Sequence, residues 1–90
     1  MMKAIVTVVG KDQVGIIAAV CVKLAEYNVN VLDISQTVMQ GYFTMMMVVD
    51  VSEAKLPLAE LVVIMDDMGK ERGLSVRLQR EDIFEAMHRI

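Results

Sequence analysis

The sequence predicts an α+β fold in which strands and helices follow one another in the order β-α-β-β-α-β, with a short helix at the C-terminal end. Three kinds of segment carry this prediction. Two segments are almost wholly apolar, two other segments repeat apolar residues at three- and four-residue steps, and a third pair of segments alternates apolar with polar residues. These periods are typical of buried strands, amphipathic helices and half-exposed strands, respectively.

The first strand and the first helix are separated by a loop bounded by glycines. Residues 4–9 are apolar and mostly β-branched, which predicts a strand buried on both faces. Residues 14–27 have the period of a helix. The apolar face of this helix carries Ile17, Val20, Cys21, Leu24 and Ala25. Asp12 precedes the helix and is predicted to cap it.

The two middle strands are predicted to form a hairpin. Residues 28–30 turn the chain, and the alternation over 31–40 predicts a strand with one exposed face. The apolar face of that strand carries Leu32, Ile34 and Val38. Gln40 and Gly41 are a hairpin signal, and the apolar segment 42–51 predicts a central strand.

A second helix and a fourth strand complete the pattern. Pro57 suits a first helical position, and the apolar repeat after it is predicted to end at Gly73, or at Gly69. Residues 74–79 alternate as a strand with one exposed face does. A C-terminal helix is predicted over 83–90. Its apolar stripe consists of Ile83, Phe84, Met87 and Ile90.

This order of elements matches the ferredoxin-like arrangement, a four-stranded antiparallel sheet with both helices on one face. The first and third strands are central in that topology, and they are the two apolar segments here. Because the helices cover only one face, we expect the C-terminal helix or a second subunit to cover the other.

Composition restricts what the chain can be. Its 90 residues predict one domain over 1–90, with a core over 4–78. The 56% hydrophobic content and the mean hydropathy of +0.49 exceed what a small interior can hold, which predicts a homo-oligomer, most simply a dimer. The chain has one cysteine, which predicts no internal disulfide. Together with nine methionines, this predicts a cytoplasmic location.

Several classes of function are disfavoured by the sequence. We expect no signal peptide and no membrane span, and the net charge of -3 argues against direct nucleic-acid binding. No nucleophile is placed with a base, since Cys21 is predicted to be buried and His88 to face solvent near the end of the chain. Asp66 and Asp67 point about 100° apart on a helix and cannot hold one metal ion. We therefore expect no enzyme activity, no metal and no cofactor.

Residues 10–16, Gly-Lys-Asp-Gln-Val-Gly-Ile, are the predicted ligand site. A strand that passes into a helix through a short glycine-bounded loop leaves the first helical N–H groups unpaired, where the helix dipole favours an anion. Gly10 and Gly15 have the spacing of a P-loop, but Ile16 and Ile17 stand where Lys and Ser or Thr are needed, which excludes nucleotide hydrolysis. A carboxylate could still bind through backbone N–H groups.

With the loop at 10–16 and the segment Asn-Val-Asn-Val-Leu-Asp-Ile-Ser-Gln at 28–36, the chain resembles an ACT domain over residues 4–78. The whole chain is similar to stand-alone bacterial proteins with a single ACT domain, and more distantly to the paired ACT domains of glycine-cleavage repressors. The family commonly binds an amino acid between two ACT domains. Two features differ from the family: Val14 replaces a frequent proline, and no catalytic domain is present on this chain.

The resemblance implies a set of ligand-binding residues. They are Lys11, Asp12, Gln13, Val14, Gly15, Asn30 and Val31. Three of these residues could instead serve the local fold. Gly15 could serve close packing or backbone conformation, Asp12 could cap the helix, and Asn30 could adopt a left-handed turn conformation.

The predicted function is a non-catalytic regulatory module that senses a small amino acid at a subunit interface and acts on a partner protein. A scaffold or dimerisation module without a ligand is the alternative, and an enzyme of unknown type is the second alternative. Only the first predicts that a free amino acid stabilises the fold.

Overall fold

Seven elements follow one another in the computed structural model, which describes residues 1–87. They are β1 (Lys3–Lys11), α1 (Ile16–Glu26), β2 (Asn30–Met39), β3 (Tyr42–Asp50), α2 (Leu58–Glu71), β4 (Ser75–Arg80) and α3 (Glu81–Met87). The predicted order is confirmed. Helix α1 begins two residues later than predicted, and Pro57 precedes α2 as its N-cap with φ −59°. His88, Ile90 and the end of the predicted C-terminal helix lie outside the described residues.

The four strands form one antiparallel sheet in the order β2-β3-β1-β4. The two apolar strands, β1 and β3, are central, as predicted. Because β3 is antiparallel to both β1 and β2, those two strands run in the same direction. The end of β1 therefore lies at the same edge of the sheet as the end of β2. Lys11 pairs with Tyr42, which also pairs with Met39.

One face of the sheet packs against α1 and α2 and forms the core, which is the predicted ferredoxin-like layer arrangement. Every second residue of the central strands points into it. From β1 and β3 these are Ala4, Val6, Val8, Phe43, Met45, Met47 and Val49, all buried. The helices contribute Ile16, Val20, Leu24, Leu61 and Met65. Met45 and Met47 thus serve the core.

The other face of the sheet, called the open face below, is covered only in part. Ile5 is 6% exposed but lies outside the main core cluster. Helix α3 packs over β1 and β4 on this side, where Gln79 Nε2 donates to Met87 Sδ at 3.3 Å. Val9 and Met46 are 44% and 42% exposed. The prediction that β1 is buried on both faces is therefore wrong for Val9 within one copy, and of the two expected covers α3 supplies only a part.

Two further expectations of burial are corrected. Strand β2 is exposed along almost its whole length, because α1 packs against little of it, whereas α2 covers the other edge strand, β4. A register shift between Val31 and Asp33 removes Leu32 from the regular alternation. Helix α3 has no buried residue, and Ile83 and Met87 of its apolar stripe are 46% and 61% exposed.

The end of α1 shows which residue of the 28–30 turn is left-handed. Asn28 has φ 59°, and Asn30 is already in β2. The Val29 N–H donates to the Leu24 oxygen at 3.1 Å, which closes a Schellman-type helix end. The left-handed turn conformation that was considered for Asn30 is therefore adopted by Asn28.

Helix α2 ends in the same way at Gly73, whose φ is 72°. The Leu74 N–H donates to the Gly69 oxygen at 2.8 Å. The helix passes through Gly69, the alternative predicted end, because this residue is buried against β4. A Cβ there would lie 2.9 Å from the Leu74 oxygen and 2.7 Å from Val76 Cγ2. Gly69 therefore allows α2 to approach the sheet closely.

We expect Gly69→Ala to lower the free energy of unfolding by about 1–3 kcal/mol, because the added methyl group forces α2 away from β4. In an exposed helix the same change would add about 1 kcal/mol. Asp67→Ala, on the exposed side of α2, is the control and should have little effect. Urea denaturation of the three proteins measures the difference. A Gly69→Ala protein as stable as the wild type would contradict the close approach.

Candidate functional site

The loop between β1 and α1 is held at two points by hydrogen bonds. The Asp12 N–H donates to the Gly41 oxygen at 2.8 Å, which connects the loop to the β2–β3 hairpin. Gln13 Nε2 donates to the Arg72 oxygen at 3.2 Å, which connects the loop to the end of α2. Residues 11–15 therefore have a fixed position relative to the sheet and to both long helices.

The start of α1 presents unpaired N–H groups, as the sequence predicts. The first helical hydrogen bond runs from the Ala19 N–H to the Gly15 oxygen at 2.9 Å. Within residues 1–87, the N–H groups of Ile16, Ile17 and Ala18 have no backbone or side-chain acceptor. These three donors and the positive end of the helix dipole suit an anion.

Asp12 does not cap α1, which corrects the prediction. Gly15 is the N-cap residue, and no side chain caps the helix. Asp12 lies three residues before this position, and its N–H is used in the bond to Gly41. The prediction relied on the preference of aspartate for cap positions and placed the start of α1 too early. In the structure, the left-handed conformation of Gly15 sets this start.

Gly15 is required by backbone conformation, and close packing is not the reason. Its φ is 87°, and a Cβ built on it would have no atom within 4 Å. The space beside it is open. A side chain at this position would therefore be strained by φ but would not clash.

An open groove of about 420 Å³ lies beside the start of α1. One wall is the loop with Asp12, Gln13 and Gly15, continued by the first turn of α1. The opposite wall comes from the end of β2 and consists of Gln36, Thr37 and Val38. The buried ring of Phe43 also lines the groove. Of residues 1–87, no lysine or arginine lines it, so backbone N–H groups are its sites for a negative charge.

The structure brings together only part of the predicted set. Asp12, Gln13 and Gly15 line the groove, whereas Lys11 lies on the open face of β1 beside Tyr42. Val14 is fully exposed and borders a second groove between α1 and α2.

Asn30 and Val31 start β2 and lie at the opposite edge of the sheet from the loop. Asn30 and Val38, which lines the groove, are eight residues apart along β2, which corresponds to roughly 26 Å within one copy. Asn30 lies opposite Asp50 there. Hydrogen bonds from the Ser52 hydroxyl and N–H hold the pKa of the Asp50 carboxyl below its usual value.

Sequence reasoning missed the β2 wall of the groove. The available signal was topological. In a ferredoxin-like sheet the first two strands run in the same direction, so the loop after strand one lies beside the end of strand two. Within residues 1–87 no cluster of three or more His, Cys, Asp or Glu side chains could hold a metal ion. In the same range, no helix has the length and apolarity needed to cross a bilayer.

Substitutions at Asp12 and Gly15 should show whether the start of α1 depends on a capping side chain or on a left-handed glycine. Asp12→Ala should change the free energy of unfolding by less than about 0.5 kcal/mol, although loss of a capping side chain typically costs about 1 kcal/mol. Gly15→Ala should cost about 1–2 kcal/mol because of its left-handed φ. Gly15→Asn should cost less, since asparagine tolerates that conformation. Denaturant midpoints test this order, and an Asp12→Ala loss near 1 kcal/mol would restore the cap.

Comparison with known proteins agrees with this geometry. The sequence model of the ACT domain matches residues 3–79. A UPF0237 protein of Bifidobacterium longum is 56% identical over 90 residues, covering all of both chains. Among solved structures, an ACT domain protein from Streptococcus pneumoniae is 47% identical with a TM-score of 0.82, covering 97% of this chain and 98% of its own.

A more distant structure shows the same fold. It is a candidate glycine cleavage system transcriptional repressor, 20% identical with a TM-score of 0.77, of which this chain covers 45%. The likeness covers 88% of this chain. The family model and the full-length relatives agree, and the chain therefore belongs to the ACT domain family.

Proposed function

We propose that this chain is a non-catalytic regulatory module that binds a small amino acid in the groove beside α1, at an interface between two copies, and acts on a partner protein. The observation that carries the proposal is the set of unpaired N–H groups of Ile16, Ile17 and Ala18 at a groove bordered by an edge strand. ACT domains are typically regulatory modules that bind amino acids, which supports the same assignment.

The groove is complementary to a zwitterion. A carboxylate would accept hydrogen bonds from the first N–H groups of α1, with the helix dipole adding favourable potential. The Asp12 carboxylate, on the same wall, could then attract the ammonium group. The Gln36 amide and Thr37 hydroxyl offer neutral hydrogen bonds to either end. A small side chain would pack against Val38 and Phe43.

A second copy would bring Asn30 to this site. Strand β2 is an edge strand with ten residues and no lysine or proline. Its register shift lies between Val31 and Asp33, so residues 34–39 continue in regular register and present an edge on which a twin could pair. Antiparallel pairing of two β2 strands places the start of one beside the end of the other. The partner subunit's Asn30 would then lie beside Met39 and the groove. In this proposal, Asn30 and Val31 serve the groove of the other copy.

In the part of the chain that the structure describes, no cationic side chain lines the groove, and this sets the expected affinity. Without a full charge pair for the carboxylate, binding should be modest, with a Kd on the order of micromolar to millimolar. Such values suit the sensing of a free metabolite in the cytoplasm, where we place the protein. The net charge of -3 supports a protein as the next partner, in preference to a nucleic acid.

A scaffold without a ligand is the second candidate. The observation that favours it is the exposed apolar surface of β2 and the open face, which could serve assembly alone. The two candidates differ in their response to free amino acids.

A thermal-shift screen of the twenty amino acids should identify at least one ligand. A ligand at 100 times its Kd adds about 2.7 kcal/mol to the free energy of unfolding. Calorimetry then compares variants with that amino acid. Asn30→Ala should weaken binding by removing the polar group from the partner, and Gly15→Asn should weaken it by filling the groove. Ser75→Ala, on the opposite edge strand, is the control and should bind normally.

Two results would contradict the proposal. If no amino acid raises the melting temperature or produces heat, the scaffold function is favoured. If an amino acid binds equally to wild type, Asn30→Ala and Gly15→Asn, the ligand lies elsewhere on the molecule. Light scattering of each variant confirms that a lost signal is not caused by lost assembly.

A further inference from the structure

We propose that a second copy of this chain docks on the open face of the sheet, with α3 of each copy seated on the uncovered part of the other. This interface is separate from the β2 edge and does not depend on amino-acid binding. It assigns a role to α3, which contributes nothing to the groove.

The shape of the open face fits its own twofold copy. Helix α3 lies over β1 and β4, where it covers Ile5 and contacts Gln79. Over β3 and the ends of β1 and β2, no described residue forms a second layer. The face therefore consists of a raised part and a flat part. A twofold rotation places the raised part of each copy on the flat part of the other.

Both parts present apolar side chains to solvent. Ile83 and Met87 are exposed on α3, and Val9, Tyr42 and Met46 are exposed on the flat part. None of the described residues of α3 is buried, so contacts within this chain give the helix little support. Seating these side chains on a second copy would bury the α3 stripe and the central strands in one step.

The charges of α3 and of the sheet strands on the open face are complementary. Helix α3 carries Glu81, Asp82 and Glu85, and among residues 1–87 only Asp82 has an ion pair, with Arg80 at 2.6 Å. On the sheet, Lys11 and Arg77 form no ion pair with any carboxylate of residues 1–87. Asp33, at the far edge of the flat part, accepts a hydrogen bond from the Ile34 N–H. The acidic helix and the two free cations can therefore compensate each other across the interface.

The dimensions of the molecule allow a stable interface. The protein is a plate of 36 × 35 × 20 Å, and its accessible surface is 5787 Å². A folded monomer of this mass is expected to expose about 5,200 Å². A plate face of this size can supply the about 800 Å² per partner of a standard interface.

Helix α3 also belongs to a narrower group of proteins than the fold does. The ACT domain model ends at residue 79, before α3 begins at Glu81. The Bifidobacterium longum relative, in contrast, aligns over all 90 residues. The segment that forms α3 is therefore shared with full-length relatives and lies outside the common domain. An interface that uses α3 would be a property of this narrower group.

The experiment measures mass by light scattering at micromolar concentration, with the β2 edge blocked. Ile34→Pro blocks pairing of β2 with a second copy, because proline has no N–H and is tolerated only at an unpaired edge. The Ile34 N–H bonds to the Asp33 side chain, so losing this N–H should leave the hydrogen bonds between β2 and β3 intact. This variant should remain a dimer through the open face and lose any melting shift with amino acids. Adding Met46→Lys should give a monomer. Adding Val63→Lys, on an exposed position of α2, is the matched control and should leave the dimer.

Met87→Glu in the Ile34→Pro protein is the second test, since this side chain is exposed and its replacement should not affect folding. It should also weaken association, by about tenfold or more, because a carboxylate would be buried without a partner. Circular dichroism checks that each variant is folded. A monomeric Ile34→Pro protein would overturn the proposal. Equal masses for the Met46→Lys, Met87→Glu and Val63→Lys variants would overturn it as well.

Discussion

The pairing of β3 with both β1 and β2 is the constraint on which the rest of the structure depends. The register from Lys3 with Asp50 to Lys11 with Tyr42 aligns the alternating side chains of the two central strands, and these side chains form the floor of the core. Because β3 is antiparallel to both neighbours, β1 and β2 must end at the same edge. The unpaired start of α1 therefore lies beside the end of β2, and a groove forms between them.

Most of the fold could be predicted from the sequence, because its signals are local. The apolar central segments, the hairpin at Gln40 and Gly41 and the helix end at Gly73 each depend on a few neighbouring residues. Burial on the open face could not be predicted. The apolar character of Val9 and Met46 shows that they favour cover, but it contains no information on whether this chain or another supplies it.

The candidate site also has one half that could be predicted from the sequence and one half that could not. Its loop half was predicted from glycine spacing, since a strand that passes directly into a helix creates the same donors wherever it occurs. Its β2 half, Gln36 to Val38, is distant in sequence and becomes visible only when strand directions are considered. Asn30 was implied by family resemblance. Its distance from the loop within one copy shows that such an implication can concern an assembly of chains.

The edge position of β2 has a consequence for motion. Amide groups of β1 and β3 are held between two neighbouring strands and above a packed core, so their exchange with solvent should require opening of the whole domain. Strand β2 has one neighbour and little buried surface, and it can separate from β3 at a much lower free energy. The outer wall of the groove is thus the least stable strand of the sheet, and whatever binds there will change the local unfolding of the protein before it changes the average structure.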